Sequence, residues 1–177
     1  MDRIYLDHNA TTPLYDDVVD CMSTVLRETF GNPSSIHHFG QKAKALIDDA
    51  RSRVAEMLDA EPTEVVFTSG GTESDNIAVR GVAEVLHPAG RRHLIASAIE
   101  HEAILNTVKA LAKKGWKVSW LPVDHTGLVD PSALEQALTD DTALVSVMHA
   151  NNEVGTVQPV AQLAALTHAR GALFQIG

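Results

Sequence analysis

Glu64-Val65-Val66-Phe67-Thr68-Ser69-Gly70-Gly71-Thr72-Glu73-Ser74-Asp75-Asn76 is the stretch on which the reading of this chain turns. A short apolar run rich in β-branched residues stops at a Gly pair, and a helix-forming pattern starts at once. The pattern predicts a strand over Val65–Thr68, a tight turn, and a helix over Thr72–Leu86. Thr72 and Asp75 fit the Ser/Thr-x-x-Asp/Glu capping box. A helix start offers unpaired backbone N–H groups and the positive end of the helix dipole, so anions bind there, phosphates above all. Two glycines let a ligand come close to the backbone. No Gly-Lys-Ser/Thr follows, and no Gly-x-Gly-x-x-Gly is present, which argues against nucleotide and dinucleotide binding.

Working outward, short apolar strands alternate with helices. Strands are expected at His93–Ser97, Lys117–Pro122, Ala143–Met148 and Ala172–Phe174. Helices are expected at Glu102–Lys114, Asp130 to Leu138 and Val160–Ala169. This alternation implies an α/β fold, a mainly parallel sheet with helices on both faces. Ligands in such sheets sit beyond the carboxyl ends of the strands. Thr68–Thr72, Ser97–His101 and His149–Glu153 all fall at such ends, and are expected to converge on one rim. On the N-terminal side, Asp7–Pro13 reads as a turn and Asp16–Thr29 as a helix. Phe30-Gly31-Asn32-Pro33-Ser34-Ser35 breaks that helix, with Ser34 or Ser35 as a cap for the next. Leu46, Ile47, Ala50, Val54, Met57 and Leu58 mark one apolar face of a long helix. The expected organisation is an N-terminal segment with two helices over 1–60 and an incomplete α/β domain over 61–177.

The chain has 177 residues and a net charge of −9. That charge disfavours non-specific nucleic-acid or anionic-membrane binding, but not a small anionic ligand held by local donors. No apolar run reaches the length of a membrane span. The N-terminus is too poor in apolar residues for a signal peptide. Cys21 is the sole cysteine; it is expected to be a small buried hydrophobe within a helix, and no disulfide within the chain is possible. The chain therefore suits a reducing compartment, here the cytoplasm. The histidines show no metal-ligand spacing.

His101, directly after a strand end, suits an acid/base group or a flat ring to stack on another. Asn151-Asn152 offers two amides at the same edge, although Asn and Gly also favour turns. Taken with Tyr5–Pro13, Phe30–Ser35, Val66–Asn76, Glu100-His101 and His149–Gly155, these motifs resemble, in order and spacing, the cysteine desulfurases of the NifS/IscS type. These are class V aminotransferases that use pyridoxal phosphate (PLP). The resemblance runs from about residue 4 to residue 174. It implies part of the large domain of a fold-type I PLP enzyme. It implies a phosphate cup at Gly71 and Thr72, an imidazole of His101 stacked on the ring, and an Asn152 amide on the ring's 3-oxygen.

The implied reaction takes sulfur from L-cysteine, leaving L-alanine and an enzyme persulfide. A sulfur acceptor or Fe–S scaffold protein would be the partner, and the family forms homodimers. The resemblance breaks at Gln175-Ile176-Gly177, where the family continues His-x-Asp-Ala-x-Gln. The lysine that anchors the cofactor, the acid that pairs with its ring nitrogen, the persulfide cysteine and the arginine for the substrate carboxylate have no match here. The expectation is an N-terminal half of such an enzyme, inactive as this isolated chain. The alternatives are a non-catalytic PLP- or phosphate-binding half-domain, a fragment that completes another chain, or another class V lyase such as selenocysteine lyase.

Overall fold

The computed structural model describes residues 3–177; Met1 and Asp2, at the head of the N-terminal segment, lie outside the described residues. The chain forms two compact units that divide between Phe67 and Thr68. The first holds helices α1 (Asp16–Glu28) and α2 (His38–Met57) and a 3-10 turn at Pro62–Glu64. The second holds α3 (Gly71–Leu86), β1 (His93–Ser97), α4 (Glu102–Ala112), β2 (Lys117–Leu121), α5 (Pro131–Ala137), β3 (Thr142–Ser146), α6 (Val160–Ala169) and β4 (Leu173–Gln175).

The four strands form one parallel sheet in the order β2-β1-β3-β4. Each strand is followed or preceded by a helix, so parallel neighbours are joined by helical crossovers. Pairing of β3 with β4 runs past the strand ends, since Val147 N–H donates to the Gln175 carbonyl and His149 N–H to the Gly177 carbonyl, both at 3.1 Å. Side chains alternate across the sheet. Leu94, Ala96 and Leu144 pack with Val79, Ala83, Ile104, Val108 and Leu111 of α3 and α4 on one face. Ile95, Leu121 and Val145 pack with Leu134 and Leu163 of α5 and α6 on the other. The sheet is therefore covered on both faces, which is why β1 and β3 are buried at every position.

Local chemistry sets the helix ends. Asp130 caps α5 through Ser132 N–H at 2.8 Å, with Pro131 in the first turn. In the first unit, Gly40 lies against the Ser35 and Asn32 carbonyls and Gly31 against the Phe39 backbone, so neither site has room for a Cβ. Phe30 and Phe39 stack across that break with ring centroids 5.5 Å apart.

Several expectations are corrected. Val65–Thr68 is not a strand; a β-branched run favours extended backbone, but a strand needs a ladder partner, and none is present among the described residues. The expected capping box of Thr72 and Asp75 is not formed. Gly70 is the N-cap, without a side-chain cap, and the Glu73 carboxylate reaches back to Ser69 instead. His37, not Ser34 or Ser35, caps α2, its Nδ1 accepting from Gly40 N–H. The expected long helix is found as α2, with Leu46, Ile47 and Met57 of its apolar face exposed. Cys21 lies on α1 as expected but is exposed rather than buried, because α1 buries no residue at all.

Candidate functional site

The carboxyl end of β1 runs into Ala98-Ile99-Glu100-His101 and then α4. His101 is the N-cap of α4; its Nδ1 accepts from Ala103 N–H at 3.1 Å. That bond leaves the imidazole proton on Nε2, the nitrogen turned away from the helix. The end of β3 runs into a turn closed by Asn151 N–H to the Thr156 carbonyl at 3.0 Å and Gly155 N–H to the Asn151 carbonyl at 2.9 Å. Gly155, at φ 76°, supplies the left-handed residue this turn requires. Asn151 spends its side chain inside the loop: Oδ1 accepts from Glu153 and Val154 N–H, both at 2.9 Å. Its Nδ2 donates to the Ile99 carbonyl at 3.1 Å.

Two adjoining cavities meet at His101. One, of about 340 Å³, is lined by Thr72, Asn76, His101, Glu102 and Asn106 among others. The other, of about 430 Å³, is lined by Glu100, His101, Asn151, Asn152 and Glu153. Thr72, His101 and Asn152 thus come together from three distant stretches. Gly71 is the first residue of α3 and adjoins Thr72; a Cβ at Gly70 or Gly71 would meet nothing within 4 Å. The open side of the helix start is therefore accessible to a ligand. A separate cavity between α3 and the end of α4, of about 500 Å³, is lined by residues such as His87 and Trp116 and includes none of these.

Electrostatics distinguish the rim from an ordinary surface. Glu100 is 5% exposed. Burial is the main cause that lifts its carboxyl above the ordinary range; hydrogen bonds from Ser97 and Met148 oppose it, Asp75 adds to it and His101 opposes it. Asp75, on α3, is likewise raised by burial, with His101 and the Gln175 amide acting against the rise. Gln175 Nε2 donates to Asp75 Oδ1 at 3.2 Å, while Gln175 Oε1 accepts from Ser146 Oγ. Glu73 is held low, mainly by the Ser69 backbone N–H at 2.6 Å and then by the Ser69 hydroxyl at 2.7 Å. Sequence reasoning placed Glu100 and Asn151 at this rim but gave Glu100 no role, and it did not connect Asp75 and Gln175 to the site. The signal for Glu100 was weak: it lies three residues past β1, and its partners are Ser97 and a main-chain N–H 48 positions away.

The pattern of the aminotransferase class-V family matches residues 4–176. The chain belongs to that family. Among curated relatives of this class-V chain is the cysteine desulfurase IscS of Dictyoglomus turgidum. It is 49% identical over 162 residues, which are 92% of this chain and 41% of the relative. The IscS of Pseudomonas fluorescens is 47% identical over 176 residues, 98% of this chain and 43% of the relative. The chain thus spans less than half the length of the curated relatives it matches. Among solved structures, a NifS-like protein superposes with a TM-score of 0.94 at 42% identity, covering 99% of this chain and 48% of the other. SspA in complex with cysteine superposes at 0.91 with 36% identity, covering 97% and 49%. The resemblance to cysteine desulfurases and the α/β fold with a covered parallel sheet both hold.

Proposed function

We propose that this chain supplies the cofactor-holding part of a PLP-dependent cysteine desulfurase. The observation that carries the reading is the meeting of two cavities at His101, one walled by Thr72 and the other by Asn152. The donor set fits a phosphate-bearing aromatic ring. Gly71 and Thr72 open a 16-residue helix, whose first N–H groups have no partner within the helix, and Thr72 adds a hydroxyl. His101 presents a flat imidazole with its Nε2–H free of the helix cap. Asn152 brings an amide to the same cavity wall.

In this reading Gly71 and Thr72 would hold the phosphate, His101 the ring face, and Asn152 the ring oxygen. Bound PLP supplies an electron sink for bonds at the substrate's α-carbon. The chain's own residues orient the ring, and His101 Nε2 is the atom placed to hold or move a proton. Resemblance supports L-cysteine as substrate, a thiol as the first sulfur acceptor with an Fe–S scaffold or other protein as the next, a homodimer, and the cytoplasm as compartment. No helix among the described residues is long and apolar enough to cross a membrane.

No lysine lines either cavity. That favours a second reading, in which the chain holds PLP without covalent attachment and without turnover. The test is a titration of PLP into the full chain, followed by absorbance and by thermal unfolding. Saturable binding that raises the melting temperature, and that Thr72→Ala weakens by about tenfold, is expected; one lost phosphate contact at a helix start is worth roughly this factor. Absence of binding would refute both readings. Release of sulfide and alanine from added cysteine once the chain is mixed with the C-terminal half of a desulfurase would favour the first, and reversible binding without release the second.

A further inference from the structure

Glu100 is not among the residues that face the ring in the proposed site, yet it joins the two loops that do. Its Oε1 accepts from Ser97 Oγ at 2.7 Å, at the end of β1. The same oxygen accepts from Met148 N–H at 2.7 Å, at the end of β3 and 48 positions along the chain. Asn151 makes a second stitch between the same loops, through Nδ2 to the Ile99 carbonyl. His101 follows Glu100 directly and Asn152 follows Asn151 directly. We propose that Glu100 is a positioning residue, a buried clasp that fixes the spacing between His101 and Asn152 by tying the end of β1 to the end of β3. The inference rests on the reading of His101 and Asn152 as ring-holding groups.

Burial favours the protonated form of the clasp. Oε2 of Glu100 is buried and has no hydrogen-bond partner among the described residues. An ionised carboxylate needs partners on both oxygens when it leaves water. One oxygen here takes two donors while the other takes none, the pattern of a carbonyl oxygen beside a protonated one. The titratable groups that act on it are Asp75 from α3, which favours the proton, and the neighbouring His101, which opposes it. Burial is the largest of these influences, so folding strengthens the hold of Glu100 on its proton. Asp75 also touches the end of β4 through Gln175, so three strand ends share this electrostatic environment.

The test compares Glu100→Gln with Glu100→Ala in the full chain. Glutamine can accept the same two bonds and is always neutral; alanine removes the clasp. The first readout is the exchange protection of the Met148 amide, corrected for intrinsic rate. Protection should persist in Glu100→Gln and fall by about tenfold or more in Glu100→Ala, where the Met148 donor is left without its partner. The second is PLP affinity. Glu100→Gln should bind within about twofold of the unaltered chain, and Glu100→Ala should bind about tenfold more weakly. With His101→Ala already in place, the further loss from Glu100→Ala should shrink to about twofold, since a positioning residue acts through the group it positions.

Unchanged Met148 protection in Glu100→Ala would overturn the proposal. So would an equal loss of PLP affinity with and without His101. If the unaltered chain does not bind PLP, the functional reading fails and Met148 exchange alone judges the clasp. If Glu100→Ala does not fold, Glu100→Gln decides the matter through its melting temperature. As pH rises from the ordinary Glu value of 4.5 through the raised folded value, the unaltered chain must ionise a buried acid and Glu100→Gln need not. The variant should therefore gain in relative stability. A Glu100→Gln variant less stable at every pH would overturn the neutral clasp.

Discussion

Replacing His93 tests the physical account of the sheet's other end. His93 opens β1 and is fully buried. Its Nδ1 meets Thr142 Oγ1 at 2.9 Å and Thr139 Oγ1 at 3.1 Å, and its Nε2 meets Ser119 Oγ at 2.8 Å. His93→Ala removes the ring and leaves buried hydroxyls without it. Two well-formed bonds at about 1 kcal/mol each, plus about 1–3 kcal/mol for the void, predict a loss of about 3–5 kcal/mol. Both tryptophans, Trp116 and Trp120, lie in the second unit, so their fluorescence reports its unfolding in urea. With a slope of about 2 kcal/mol per molar, the midpoint should fall by about 2 M.

The same substitution has a pH signature. Burial first, and Lys117 second, lower the His93 value, with Asp141 acting against them. The folded chain therefore binds fewer protons than the unfolded one, and stability present above the ordinary value of 6.5 is lost as pH falls from there through the lowered one. In His93→Gln this contribution to the acid-side slope should vanish. A loss under about 1 kcal/mol in His93→Ala, or an unchanged slope in His93→Gln, would refute the account.

Leu163 on α6 is completely buried against the sheet face shared with α5; Leu163→Ala should cost about 2–5 kcal/mol in the same urea assay. Gly40→Ala places a methyl against the Ser35 carbonyl and 2.7 Å from the Asn32 carbonyl oxygen. The gain of about 1 kcal/mol in helix propensity should be overridden, and the helical circular dichroism of the first unit should melt earlier, not later.

The sequence carried the second unit well because each of its elements has a local signal that agrees with its packing. His93–Ser97 and Val160–Ala169 are found with the expected bounds, since each is an apolar run closed by a polar or Gly-containing turn. Parallel pairing followed from the alternation of strands and helices, and burial on both faces confirmed it. The first unit misled in a consistent way. Leu46 and Ile47 make a helical stripe whether or not anything covers them, and periodicity alone cannot say which. Val65–Thr68 failed for a related reason, because extended propensity does not supply a neighbour. At the rim, Gly71, Thr72, His101 and Asn152 were visible through turn chemistry and resemblance. Glu100 was hidden, because its partners, Ser97 and the Met148 backbone, include one that lies 48 positions away and offers only a main-chain N–H.

Both ends of β1 carry a titratable group that folding shifts toward its neutral form. His93 at the foot is shifted toward its neutral form by burial and then by Lys117, and three hydroxyls surround its ring nitrogens. Glu100, three residues beyond Ser97 at the head, is shifted the same way by burial, with only one oxygen satisfied. Their pH effects have opposite signs. His93 costs stability as pH falls below 6.5, and Glu100 costs stability as pH rises above 4.5. Between those values the two slopes oppose each other, so a weak overall dependence there would conceal two opposing contributions. Only the paired variants, Glu100→Gln and His93→Gln, separate them. The difference in their locations then matters for function. The His93 network touches neither cavity at the rim, so its loss should lower stability while leaving PLP affinity of the folded fraction intact, whereas loss of the Glu100 clasp should lower affinity even where the fold survives.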